Sequence, residues 1–130
     1  MMFKLFVCLF LLSGCQLTPG ELSGIWTGKV GPFNSAFKFN DQGVGLLCYS
    51  GRKAYKIEWA KYKDGIIKTE RDTDVIIKSL SNGVLVIRVN NFGVKEYTFN
   101  KDEGLKNASW FCREKLGGEM WGNVAIILKK

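Results

Sequence analysis

The sequence predicts a mainly β fold, a small antiparallel eight-stranded meander or barrel followed by one C-terminal helix and a final strand. Two observations carry that expectation. Short apolar runs alternate with polar residues, and Gly, Asn or Asp turns recur about every ten residues, which is the spacing of an antiparallel meander. Later in the chain the apolar period changes from two to between three and four.

The strands are expected at 24–30, 35–40, 44–50, 54–62, 66–70, 75–80, 84–90 and 94–100. The turns between them include Asn40-Asp41-Gln42-Gly43, Lys63-Asp64-Gly65, Ser81-Asn82-Gly83 and Asn90-Asn91-Phe92-Gly93. Gly in these turns fits hairpins that require a positive φ. Alternation sets Tyr55, Ile57 and Trp59 against Lys56 and Glu58, and pairs Phe37 with Phe39 and Tyr97 with Phe99. The inward set expected from this is Trp26, Phe37, Phe39, Tyr55, Ile57, Trp59, Leu85, Ile87, Tyr97 and Phe99. The runs 75–80 and 84–90 are apolar on both faces, so a cover is expected on their outer side. The segment 105–116 supplies it, with Leu105, Ala108, Cys112 and Leu116 at helical spacing and Gly117-Gly118 as the stop. Residues 123–128 read as the closing strand.

The N-terminus gives an address. Lys4 precedes an apolar stretch from Leu5 to Leu12 of signal-peptide length. Leu12-Ser13-Gly14-Cys15 resembles a bacterial lipobox, which implies cleavage before Cys15 and acylation of that cysteine. Acyl chains at about 0.8 kcal/mol per buried methylene would then anchor the chain stably. By the same resemblance, Gln16, standing where an Asp tends to retain lipoproteins in the inner membrane, points to the outer membrane. The division is therefore 1–14 signal peptide, 15–22 lipidated tether and 23–130 barrel domain.

Removing residues 1–14 takes away one Lys and leaves 18 Lys plus Arg against 12 Asp plus Glu, a net charge of +6. Only Cys48 and Cys112 then remain as unmodified cysteines. In an exported domain, without a C-x-x-C motif or further metal ligands, they are expected to form a disulfide.

The topology resembles that of the lipocalins and the wider calycin group. Gly24-Ile25-Trp26 matches the G-x-W that opens their first strand, where the Trp plugs the closed end of the barrel. The Arg that packs on this Trp in the family has only Arg88 and Arg113 as candidates here. Small bacterial lipocalin-like lipoproteins are the nearer comparison.

No catalytic machinery is expected. The chain contains no His, which removes His-based triads, His metal sites and His switches. Ser50-Gly51-Arg52-Lys53 spells S-x-x-K, but in a hairpin turn rather than at the helix start which that motif requires. The stretch from Ser50 to Tyr55 also loosely resembles the S-G-x-x-Y loop of lipoprotein lysozyme inhibitors, whose basic target a +6 domain would repel at long range. Asp72 and Asp74 lack the six to eight oxygens of a Ca²⁺ site, so no cofactor or metal is expected.

The expected function is non-enzymatic: an outer-membrane lipoprotein whose barrel binds a small hydrophobic ligand or an envelope component. Candidate ligand residues are Trp26, Tyr55, Trp59, Arg88, Tyr97 and Phe99. The alternative is a fully packed barrel serving as a structural or protein-interaction module through an apolar patch on 75–80, 84–90 or Phe92. The expected partners are the membrane through Cys15, anionic lipid head groups contacted by the scattered Lys and Arg, and a hydrophobic small molecule. Nucleic acid is excluded by export.

Overall fold

The computed structural model describes residues 17–71, 73–90 and 93–117. The eight strands are β1 (Gly24–Val30), β2 (Phe33–Phe39), β3 (Val44–Ser50), β4 (Tyr55–Lys63), β5 (Ile66–Thr69), β6 (Asp74–Ser81), β7 (Val84–Asn90) and β8 (Val94–Lys101). A one-turn helix α1 (Pro19–Leu22) precedes them and α2 (Trp110–Leu116) follows. Each strand pairs antiparallel with the next, and β8 returns to β1, so the meander closes into a barrel. The expected final strand over 123–128 lies outside the described residues.

Turn chemistry accounts for the order. Asp64-Gly65 and Asn82-Gly83 form two-residue loops, between Lys63↔Ile66 and Ser81↔Val84, with φ of 53° and 85° and of 52° and 74°. Both loop residues at positive φ define the hairpin turn whose twist matches the flanking strands. β2 starts two residues earlier than the sequence suggests, because Gly31 at φ 61° lets Val30 pair directly with Phe33. Closure depends on Gly28, where β1 meets Phe99 of β8. A Cβ there would stand 2.5 Å from the Thr98 carbonyl oxygen.

Alternation divides the apolar residues between two separate cores. The inner one fills the barrel with Trp26, Phe37, Phe39, Tyr62, Ile67, Leu85, Ile87 and Phe99, and Tyr97 packs against it. The outer one joins Ile25, Ala36, Leu46 and Cys48 to Leu105, Cys112 and Leu116, with Ile57 and Phe111 at its edge. The Cys48–Cys112 disulfide, S–S 2.12 Å, fastens α2 to β3.

The outer core alters two expectations. First, α2 packs on β2 and β3, not on β6 and β7. Among the described residues the outside of β6 and β7 carries a half-exposed Ile76 and the Lys78–Glu96–Arg88 ion pairs. Second, the helix is shorter than 105–116. Leu105 takes φ 54°, and the Asp102 carboxylate accepts the Lys106 and Asn107 backbone N–H groups at 2.9 and 2.8 Å, which holds this stretch as a turn. The helix begins only where Ser109 caps it, its Oγ accepting the Cys112 N–H at 3.2 Å.

Candidate functional site: the open end of the barrel

One end of the barrel is plugged from within, and a groove of about 410 Å³ lies beside the plug, between Leu17, Glu21 and Tyr62 and the strands β5 and β6. Leu22 of α1 is wholly buried there, and its carbonyl accepts the Trp26 indole N–H at 2.8 Å. The Tyr62 hydroxyl donates to the Leu17 carbonyl at 2.6 Å, so residues 17–22 dock on the barrel instead of running free as a tether. The cation over the Trp26 ring, 4.6 Å from its centroid, is Lys101. Arg88 instead meets Glu96 on the outer face, and Arg113 donates to the Leu105 and Ala108 carbonyls beside α2.

The other end is hollow. A cavity of about 250 Å³ opens there, walled by Phe33, Phe37, Leu47, Val75, Ile87 and Phe99 together with Val30 and Val89. Its polar side groups Tyr49, Glu58 and Arg71, with Ser35, Thr69 and Thr73 nearby. Glu58 is only 2% exposed. Its Oε2 accepts a short hydrogen bond from the Tyr49 hydroxyl and lies 3.5 Å from Arg71 Nε. Its Oε1 accepts the Arg71 backbone N–H at 3.4 Å. The Arg71 guanidinium also lies over the Tyr49 ring, 5.3 Å from the centroid. Burial, and then the bond to Glu58, push the Tyr49 hydroxyl well above the usual phenol range, so it stays a neutral donor. A buried carboxylate needs such partners.

Of the six ligand candidates read from the sequence, Phe99 alone is on the wall of this cavity. Trp26 plugs the far end and Tyr97 packs in the inner core, while Arg88 points outward. Tyr55 and Trp59 are also outside. The β4 residues expected inside, Tyr55, Ile57 and Trp59, occupy the outer phase, and Glu58, Ala60 and Tyr62 the inner one. The reason is the second core: Ile57 pairs with Cys48 beneath the helix, so its apolar phase is satisfied on the outside. Tyr55, 47% exposed, stacks instead against Trp110 and Phe111.

Sequence reading missed Tyr49, Glu58 and Arg71. A faint signal was present in β4, where Glu58 shares its phase with Ala60 and Tyr62 as well as with Lys56. Ser50 of the S-x-x-K stretch is buried and donates to the Ser109 hydroxyl at 2.6 Å, which makes it a support of the α2 cap. Among the described residues no group of three metal-ligating side chains converges, and no helix is long and apolar enough to cross a membrane. Compared with protein-family models, curated proteins and solved structures, the chain shows no significant match to any of them.

Proposed function

We propose that this chain is a lipid-anchored lipoprotein of the outer membrane that binds a small amphiphile in the open end of its barrel, without catalysing a reaction. The observation that carries the binding reading is the cavity of about 250 Å³, apolar except for the Tyr49–Glu58–Arg71 side. Apolar walls with a few convergent polar groups are the usual make-up of a small-molecule site, and this volume is just below the common range of roughly 300–1,000 Å³. The ligand is therefore small, or inserts only one end. The closed meander, the plugging Trp26 and the stapled helix support the lipocalin-like reading of the chain. The lipobox at Leu12–Cys15 supports the anchor.

Native mass spectrometry of the Cys15→Ser chain, exported and purified without detergent, tests the ligand. A defined extra mass that disappears on denaturation is expected, and its identity names the ligand class. Palmitate labelling tests the anchor: label on the wild type and none on Cys15→Ala is expected, with release of the variant from membranes. A variant that stays membrane-bound without label would remove the anchor from this reading.

A second reading, a protein-interaction module, rests on a different observation. Trp110 and Tyr55 are 63% and 47% exposed and touch each other and Phe111 outside the barrel. Aromatic groups of this kind are enriched at binding surfaces. This patch is formed by the first turn of α2 and the start of β4, and Phe92 lies outside the described residues.

A further inference from the structure

The cavity carries one more piece of chemistry, which rests on the binding reading above. Its polar side is centred on an acid. Glu58 is almost wholly buried, and its two oxygens are unequally served. Oε2 has both the Tyr49 hydroxyl and Arg71 Nε. Oε1 has, among the described residues, one backbone N–H at 3.4 Å, close to the limit at which a hydrogen bond still counts. A buried carboxylate oxygen with one long contact retains most of its accepting capacity. The opposing cation is set on the Oε2 side, with Arg71 Nε 3.5 Å from that oxygen and its guanidinium over the Tyr49 ring.

We propose that the pocket selects an amphiphile whose polar end is a hydrogen-bond donor, an alcohol or amine on a short alkyl chain, and discriminates against a carboxylate of the same length. The apolar walls accept the chain, and the donor reaches Glu58 Oε1. A carboxylate there would face, as a like charge, a Glu58 side chain that is itself almost wholly buried, where repulsion is stronger than in open water. Arg71 does not reverse this, because its guanidinium already faces Glu58 and Tyr49. Glu58 thus acts as a filter for the head group.

The test titrates the Cys15→Ser chain with 1-octanol and with octanoate at neutral pH, following the Ile87 and Val89 methyl resonances by NMR. Octanol is expected to bind at least roughly tenfold more tightly, the ratio one hydrogen bond to a charged group provides. Glu58→Gln should strengthen octanoate binding by roughly tenfold by removing the repelling charge. Tyr49→Phe keeps that charge and should keep the preference for octanol, so it provides a second check if Glu58→Gln does not fold. Tighter binding of octanoate by the wild type would make Arg71 the head-group reader and overturn the proposal. So would a preference unchanged in Glu58→Gln or abolished in Tyr49→Phe. Absence of binding by both probes would overturn the cavity as a ligand site altogether, which distinguishes the two failures.

Discussion

The two ends of this barrel share every strand yet are finished in opposite ways. At one end the large side chains of Trp26 and Phe39 meet Leu22 and Tyr62, and each buried polar group of the plug has a partner on the chain just before β1. At the other end Val, Ser and Thr stand at several inward positions among Phe33, Phe37 and Phe99, an acid is buried, and space remains. An eight-stranded barrel is just wide enough for either outcome. The choice is made by side-chain volume along each strand, not by topology. Stability should therefore concentrate at the filled end, and tolerance at the hollow one.

The most disruptive test of that contrast is Trp26→Ala. It should cost about 3–5 kcal/mol in denaturant unfolding, as truncation of a buried Trp does, and a cost below 1 kcal/mol would show that the plug is not the stable end. Removing the disulfide with Cys48→Ala and Cys112→Ala should cost about 4 kcal/mol for cysteines 64 positions apart. The β1–β8 amides should nevertheless remain protected from hydrogen exchange, because the inner core contains neither cysteine.

Asp102 offers a pH-dependent version. Burial works against its charge, but the Asn107 and Lys106 backbone N–H groups and the Thr27 hydroxyl outweigh that and hold its carboxyl below the usual value. Its contribution is present in full above the unfolded value, near pH 4, and is lost as the pH falls through the lower folded value. Asp102→Asn should thus lower stability by about 1–3 kcal/mol at neutral pH and flatten the acid limb of a urea-midpoint profile. At the hollow end, Phe33→Ala should cost roughly half as much as Phe39→Ala, since Phe33 is only half-buried. Smallest of all, Tyr55→Ala should change stability by less than about 1 kcal/mol and leave octanol binding unaltered.

These contrasts also mark where sequence reading succeeds. The meander was legible because turn residues act locally: Asp64-Gly65 and Asn82-Gly83 specify their hairpins without help from the rest of the chain. The disulfide was legible by elimination. The orientation of β4 was not. Alternation separates Tyr55, Ile57 and Trp59 from Glu58 and Ala60, but both faces of β4 are buried in part, one in the barrel and one beneath α2. Hydrophobicity alone then cannot tell inside from outside. The polar side of the cavity was hidden for a related reason, since Tyr49, Glu58 and Arg71 stand on three separate segments and meet only through pairing register.

The docking of Leu17 sets an axis for the molecule. Its carbonyl is held by Tyr62 at the filled end, and Cys15 stands only two positions before it in the sequence. Acyl groups on Cys15, as proposed, would therefore seat the filled end on the bilayer. The mouth would stand about 20 Å higher, the rise of seven-residue strands, facing water. An amphiphile could not then slip sideways out of the supporting leaflet into the barrel. It would have to arrive from above, dissolved as a monomer or passed on by a donor across the aqueous space.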